Sequence, residues 1–325
     1  MEKIDFVIAW VDGNDSKWQK KRNAYSKGDT QKELSERYRD WGLLRYIMRG
    51  IEMYAPFVHH VYLVTDEQKP EWLNEECSKL TVVDHKAFIP AEYLPTFNTN
   101  TIELNLHRIP GLSEQFVYLN DDMMITGKCD VKDFFERNMP VDEGSLNGIN
   151  GSDQQFAEIL FTDIALMNRH YTVKDCKKHI GKWLRPSYGK NLLRTLLLLP
   201  FQRLQGIYNH HGPMPILKST CENIWQRDRD MLDATCQCKF REGRNVSAYV
   251  YRYEQLLSGN FVPKKAQNKY CTVSMPIHEL ERDMKKYKMV CINDEPMDEA
   301  VYEVKKQQIT EMMEKKFPKK SIFEK

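Results

Sequence analysis

The chain has 325 residues, with 48 lysines and arginines against 46 aspartates and glutamates and a net charge of +2 at neutral pH. That length can bury a large core, as one elaborated α/β domain or as one domain with a helical insertion. The balanced charge argues against a dedicated nucleic-acid binder, which would carry a concentrated basic stripe and a recognisable reading module. We therefore expect no nucleic-acid partner.

The first part of the chain alternates between strand-like and helix-like patterns. Four apolar runs predict strands, at residues 4–11, 58–65, 80–84 and 115–120. Between the first two, apolar residues recur at helical spacing from Trp41 to Ile51, and Pro56 ends that helix. Strands that alternate with helices are typical of an α/β fold with a mostly parallel sheet.

The second part of the chain is predicted to be more helical. Residues 130–210 show helical patterning and no clear strands, so we expect a helical insertion that covers the site. A helix is predicted at 246–257 and a strand at 289–292. The predicted divisions are 1–129 for the first part of the α/β core, 130–210 for the insertion, 211–296 for the rest of the core and 297–325 for a basic C-terminal helix.

The pattern of apolar residues predicts neither a membrane span nor a signal peptide. No apolar stretch reaches the roughly 20 residues of a membrane span, and the first apolar run is too short for a signal peptide. Eight scattered cysteines indicate free thiols in a reducing compartment, so we expect a cytoplasmic protein. The lysines of the C-terminal helix favour a solvated face over attraction to the inner face of an anionic membrane.

Acidic and amide side chains follow several of the predicted strands. They are Asp12, Asp66, Asp84, Asn120, Asp121, Asp122, Asn293 and Asp294. In open α/β sheets ligands gather outside the carboxyl ends of the strands, and Mg²⁺ or Mn²⁺ binds there through carboxylates together with substrate phosphates. Asn-Asp turns are the alternative explanation for any one of these ends, because both residues favour turns.

Several segments together resemble one protein family. The chain is similar to the Stealth family of capsular polysaccharide phosphotransferases, which is related to the lysosomal-enzyme N-acetylglucosamine-1-phosphotransferase. The segments that carry the resemblance are IDFVIAWVDGND, RYRDWGLLRYIMRGIEMYAPFVHHVYLVTDEQKPEWLN, PTFNTNTIELNLHRIPGLSEQFVYLNDDMM, HHGPMP and VCIND.

The resemblance implies a fold and a reaction. The fold is a nucleotide-sugar-binding sheet of the GT-A or Rossmann-like kind. The reaction transfers a hexose-1-phosphate from a UDP-sugar to a hydroxyl of a glycan acceptor, free or lipid-linked, with Mg²⁺ or Mn²⁺ as the cofactor. Attack at a diphosphate phosphorus needs charge neutralisation, cationic donors for the phosphoryl oxygens and a base for the acceptor hydroxyl.

The resemblance also implies roles for individual positions. Asp40 matches an acidic residue before the family's L-R-Y segment and is the expected base, although the residues alone favour a helix N-cap there. His211 and Arg241 match a histidine and an arginine of the third region and are expected to hold phosphoryl oxygens. Histidine also acts as a base near neutral pH, so the choice between Asp40 and His211 stays open.

The remaining expected positions come from the matched second region, which contains Asn98 and Glu103, and from the helix and the acidic strand ends described above. Arg45 is a further expected catalytic cation; from the residues alone, it and Arg49 are equally well explained as solvated partners of Glu52 and Asp40. Donor contacts are expected from Asp12, Gly13, Asn98, Glu103 and Arg49. Metal ligands are expected among Asp121, Asp122, Asn293 and Asp294.

Two other classes of function fit part of this pattern. An ordinary metal-dependent glycosyltransferase would use the same kind of sheet and acidic rim but break the sugar–phosphate bond and release UDP. A non-catalytic glycan-binding protein would not need so many acidic loop ends together with His211 and Arg241.

Overall fold

The computed structural model describes residues 2–26 and 38–325. Its strands are β1 (Ile4–Ala9), β2 (His60–Thr65), β3 (Leu80–Asp84), β4 (Gln115–Asn120), β5 (Met123–Ile125), β6 (Phe135–Glu136), β7 (Met139–Asp142), β8 (Met214–Leu217), β9 (Val262–Pro263), β10 (Asn268–Thr272) and β11 (Met289–Asn293). Its helices are α1 (Ser16–Asn23), α2 (Leu44–Tyr54), α3 (Thr99–Asn105), α4 (Gln154–His170), α5 (Val173–Lys178), α6 (Ile180–Trp183), α7 (Lys190–Leu198), α8 (Lys218–Arg227), α9 (Arg229–Cys236), α10 (Tyr249–Leu257), α11 (Ile277–Lys286) and α12 (Glu299–Lys316).

The central sheet has the order β3-β2-β1-β4-β8. The first four strands pair in parallel, and β8 runs antiparallel to β4 at the edge. These four strands lie where the sequence predicted them, so the α/β fold with a mostly parallel sheet is confirmed. A parallel sheet is covered on both faces. Accordingly, Phe6 and Ile8 of β1 enter the core that contains α2 and α12, whereas Val7 enters the core that contains α8 and α10.

A second sheet adjoins the central sheet where β4 ends. It has the order β10-β11-β5, and only two residues separate the end of β4 from the start of β5. The chain therefore leaves the central sheet at Asn120 and enters the second sheet at Met123. Asp121 and Asp122 occupy that junction, and the backbone N–H of Ile292 in β11 donates to the carbonyl oxygen of Asp122 at 2.9 Å. This contact brings the end of β11 beside the acidic pair.

Two local predictions are wrong. The segment 130–210 contains β6 and β7, which form a hairpin around Arg137 and Asn138, both with positive φ. Strands of two and four residues are too short to show alternation in the sequence. Helix α2 begins at Leu44 after Leu43, so Asp40 does not cap it; instead the Asp40 carboxylate accepts from the N–H of Gly42 at 2.8 Å.

Two of the predicted helices differ from the prediction in their ends, whereas β8, β10, α8, α9 and α11 were not predicted. α10 begins three residues later than predicted, and α12 covers Glu299–Lys316 of the predicted C-terminal helix. All eight cysteines are free thiols. Within residues 2–26 and 38–325, no helix combines the length and the apolar character needed to cross a bilayer.

Candidate active site

A cavity of about 460 Å³ opens at the carboxyl ends of β1, β4 and β11. The sequence-predicted residues that line it are Asp40, Glu103, Asp121, Asp122, His211, Arg241, Asn293 and Asp294. They come from six separate stretches of the chain. The parallel register of β1 with β4 and the contact of β11 with Asp122 bring these stretches to one edge of the sheet.

Three carboxylates crowd one wall of the cavity. Burial, together with the negative charges of Asp122 and Asp40, raises the pKa of Asp121 to about 8. Burial likewise raises the pKa of Asp40, and the charge of Asp12 adds to this. Oδ1 of Asp122 is buried and accepts no hydrogen bond from the part of the chain that the structure describes. A cluster of carboxylates whose charges raise the pKa of Asp121, with one oxygen of Asp122 left without a donor, fits a divalent cation.

Cys291 and His211 lie against the same carboxylate. The thiol of Cys291 donates to Oδ2 of Asp122 at 3.1 Å, and Nε2 of His211 lies 3.7 Å from that oxygen. Burial and the charge of Asp122 hold the pKa of the Cys291 thiol well above its ordinary value. One ligand atom each from Asp122, His211 and Cys291 lies within 4.8 Å of the other two, so these three side chains could share an ion. The carboxylate oxygens of the cluster are the ligand type that Mg²⁺ and Mn²⁺ prefer.

The backbone at His211 is held in an unusual conformation. Its φ is +45°, in the left-handed region that few non-glycine residues adopt. The side-chain amide of Asn268 donates to the carbonyl oxygen of His211 at 3.1 Å and also to that of His210. The ring of His211 stands edge-on to Tyr270, with centroids 5.4 Å apart. These contacts fix the imidazole toward Asp122.

Another part of the cavity wall carries Arg241 and Glu103. The guanidinium of Arg241 lies over the ring of Phe156, 5.7 Å from its centroid. Glu103 accepts from the hydroxyl of Tyr118 at 2.9 Å. Burial raises the pKa of Glu103, while the hydrogen bond from Tyr118 and the charge of Arg241 oppose the rise. The cavity thus holds a guanidinium group as well as the carboxylate cluster.

Asp163 supports this wall, and sequence analysis missed it. Its carboxylate is buried in α4 and accepts from the N–H of Ser247 at 2.8 Å and from the Ser247 hydroxyl at 2.6 Å. Ser247 lines the cavity. The signal in the sequence was an aspartate on the apolar face of a helix, between Ile159 and Met167, where a charge is rarely tolerated without partners.

Three expected donor contacts lie outside the cavity wall. Asn98 caps α3, and its Nδ2 donates to Oδ1 of Asn245 at 2.9 Å, which ties α3 to the loop that carries Arg241. Asp12 accepts from the N–H of Asn14 within its own turn. A Cβ at Gly13 would lie 2.1 Å from the carbonyl oxygen of Tyr38, so glycine is required for the close approach of the segment that leads to Asp40.

Arg45 and Arg49 are placed elsewhere, which corrects the expectation that they reach phosphate. Arg49 is buried, and its guanidinium donates to both carboxylate oxygens of Glu324, at 2.8 and 2.9 Å. It also pairs with Glu314 of α12 at 3.1 Å. Arg45 lies 3.6 Å from Glu324 and over the ring of Trp72. Both arginines therefore attach α2 to the C-terminal segment, on the side of the helix away from the cavity lining.

Comparison with known proteins shows where this chain belongs. The profile of Stealth protein CR1, conserved region 1, matches residues 2–30, and that of Stealth protein CR2, conserved region 2, matches residues 37–142. The capsular polysaccharide phosphotransferase WcwK of Streptococcus pneumoniae is 36% identical over 100% of this chain and 99% of its own length. The chain belongs to the Stealth family. The Stealth CR2 match contains Asp40, Glu103, Asp121 and Asp122, four residues of the cavity wall.

Two further Stealth-like relatives carry the same kind of name. The exopolysaccharide phosphotransferase cps2G of Lactiplantibacillus plantarum is 37% identical over 99% of this chain and 96% of its own length. The receptor polysaccharide phosphotransferase WefC of Streptococcus gordonii is 37% identical over 90% of this chain and 91% of its own length. This Stealth protein is accordingly an enzyme, a phosphotransferase.

Proposed function

We propose that the protein transfers a hexose-1-phosphate, such as N-acetylhexosamine-1-phosphate, from a UDP-sugar to a hydroxyl of a glycan acceptor. The product is the phosphodiester of a capsular or cell-surface polysaccharide. One observation carries the proposal: a single cavity is lined by a carboxylate cluster with His211 beside it and also by Arg241 and Glu103. The names of the relatives, which are polysaccharide phosphotransferases, support the same reaction class.

The bonds that form and break in this reaction give each group of cavity residues a role. The acceptor oxygen attacks the phosphorus that carries the sugar, the bond from that phosphorus to the bridging oxygen breaks, and UMP leaves. Asp40 takes the proton of the acceptor hydroxyl, since its raised pKa makes it a stronger base than an ordinary aspartate. Arg241 and His211 hold the non-bridging oxygens, on which negative charge is concentrated.

The carboxylate wall is the proposed metal site. Asp121 and Asp122, with Asn293 and Asp294 at the rim, would hold Mg²⁺ or Mn²⁺. When bound, such an ion neutralises negative charge on the donor diphosphate. Glu103, held by Tyr118, is the proposed contact to the donor sugar.

We also propose where the protein acts and which form of glycan is its acceptor. Eight free cysteines fit the reducing cytoplasm, where thiols persist without pairing. The acceptor is a growing glycan, which we take to be lipid-linked.

The experiment that tests the reaction identifies the nucleotide product. The protein is incubated with a panel of UDP-sugars, an acceptor glycan and Mg²⁺, and the reaction is followed by nucleotide chromatography and ³¹P NMR. We expect UMP and a new phosphodiester signal. Release of UDP without that signal would replace the proposal with an ordinary glycosyltransferase that uses the same cavity.

A further inference from the structure

Helix α7 packs against the protein through a face that mixes polar and apolar side chains. Thr195 is buried and its hydroxyl accepts from the N–H of Leu146 at 3.0 Å, while Asn191 donates to Glu143 at 2.6 Å. Leu198 and Leu199 are partly buried against the core. On the other face, Leu193 is 64% exposed and Leu197 is 74% exposed. A surface helix of a protein in water normally carries polar residues on that face.

The exposed apolar side chains form one patch. Leu193, Leu196 and Leu197 follow helical spacing on one face, and Phe201 is exposed in the turn just after the helix. We call these four residues the α7 patch. The residues that the structure describes leave all four side chains exposed to solvent.

The α7 patch lies in the most basic part of the chain. Residues 174–203 contain eight basic residues and one acidic residue, Asp175, a net charge of +7 in a chain whose total is +2. All of the eight except Lys182 are exposed. Lys190 and Arg194 belong to α7 itself, next to the leucines.

We propose that the α7 patch and its basic surroundings dock the protein on an anionic phospholipid bilayer. Leucine and phenylalanine side chains on one face of a helix, flanked by lysine and arginine, are the combination that inserts at the boundary of headgroups and acyl chains. Each basic residue near the surface adds attraction to anionic lipid. Binding of this kind needs no turnover and is independent of the reaction proposed above.

A second copy of the chain is a poorer occupant for the same surface. In a two-fold symmetric dimer the same patch meets itself. Here that would bring two segments of charge +7 together, which is unfavourable.

Helix α12, whose four lysines are balanced by four glutamates, lacks this arrangement. Its Ile309 and Met313 are buried in the core. Lys306 donates to the carbonyl oxygen of Asp40 at 2.8 Å, and Lys305 donates to that of Met275 at 3.2 Å, so these lysines serve contacts within the protein. Its exposed Val301 and Val304 supply a matched control for apolar substitutions.

The test is flotation of the full chain with vesicles. One set is phosphatidylcholine alone, and the other contains roughly one-third phosphatidylglycerol. The variants are Leu193→Gln/Leu196→Gln/Leu197→Gln, Lys190→Gln/Arg194→Gln and the control Val301→Gln/Val304→Gln. Circular dichroism and thermal unfolding of each variant verify the fold, and sedimentation without lipid gives the oligomeric state.

We expect the wild type to float only with the anionic vesicles. The leucine variant should lower binding by about tenfold or more, because three inserted side chains are lost. The lysine–arginine variant should lower binding at low salt, whereas the valine control should match the wild type. Raising ionic strength from about 0.1 M to about 1 M should weaken binding, since the Debye length falls from about 10 Å to about 3 Å.

Three outcomes would overturn the proposal. The first is wild-type protein that stays unbound with anionic vesicles. The second is a leucine variant that folds and still binds like the wild type. The third is a wild-type dimer that the leucine substitutions dissociate while no vesicle binding is seen, which would assign the α7 patch to a second copy.

Discussion

Nε2 of His211 lies 3.7 Å from Oδ2 of Asp122. Asp122 follows the end of β4, and His211 precedes the start of β8, which runs antiparallel to β4. The end of one strand and the start of the other therefore meet at the same edge of the sheet. Sheet topology, rather than closeness in the sequence, joins the acidic wall to this histidine.

The first prediction concerns the acidic wall. Asp122→Asn should abolish turnover and keep the fold, because asparagine preserves the shape and an acceptor for Cys291 but removes a metal-binding charge. Excess EDTA should have the same effect on the wild type, with activity restored by Mg²⁺ or Mn²⁺. Initial rates and thermal unfolding are the measurements.

The matched control for that prediction is Asp230→Asn, an exposed aspartate whose carboxylate pairs with Arg169 at 3.2 Å. It should retain the wild-type rate. Full activity of the wild type in EDTA would remove the metal from the proposal.

A second prediction concerns Arg241. Arg241→Ala should lower the transfer rate by about 100-fold, the scale seen when one transition-state donor is removed. Arg241→Lys should recover part of the loss, because an ammonium cannot reproduce the planar fork of guanidinium. Arg244→Ala is the control, since Arg244 is exposed in the same loop and pairs with Glu242. Equal rates for the two alanine variants would show that Arg241 has no role at the phosphate.

A third prediction follows from the placement of Arg49. Arg49→Met should lower the free energy of unfolding by about 3–5 kcal/mol, because it leaves Glu324 buried without its partner. Arg45→Met should cost less than about 1 kcal/mol, since Arg45 is half-exposed and lies farther from Glu324. Denaturant unfolding gives both values. The KM for the UDP-sugar should be unchanged in both variants, and a rise with Arg49→Met alone would return that arginine to the donor site.

The sequence predicted the central sheet and the acidic ends well because both are local signals. An apolar run and the polar residues that follow it are adjacent in the chain, and a parallel sheet gathers such ends at one edge. Asp121 and Asp122 were identified in this way, and both line the cavity.

The partners of Arg49 and the orientation of α7 were not predictable in the same way. The helical pattern placed Arg49 on α2, but Glu324 lies at the other end of the chain, and only the packing of α12 brings it near. The pattern of α7 gave a leucine-rich face without saying that Thr195 would be the buried side. Both outcomes depend on contacts between distant segments, for which a single sequence carries no periodic signal.

A fourth prediction concerns pH and Asp163. Burial raises the pKa of this carboxyl from 3.8 to about 8 in the folded protein, so the folded state binds more protons than the unfolded state between those values. Stability should therefore fall as pH rises from about 4 to about 8, by at most about 1.4 kcal/mol per pH unit for one proton. Asp163→Asn should reduce that slope, because an amide does not titrate in this range. The fold should survive, since the amide oxygen can still accept from the N–H of Ser247. Unfolding at a series of pH values measures it, and an unchanged slope in the variant would assign the pH dependence to other groups.

The last prediction decides which group is the base. Asp40→Asn should lower turnover by about 100-fold or more while leaving UDP-sugar affinity unchanged, because the amide keeps the shape but accepts a proton poorly. The fold should survive, since the amide oxygen can still accept from the N–H of Gly42 and the helix α2 does not depend on Asp40 for its cap. His211→Asn should then weaken transfer without abolishing it. Calorimetric titration with the donor and initial rates on the same preparations separate binding from chemistry. An active Asp40→Asn beside an inactive His211→Asn with normal donor affinity would make His211 the base and leave Asp40 as the residue that shapes the turn at Gly42.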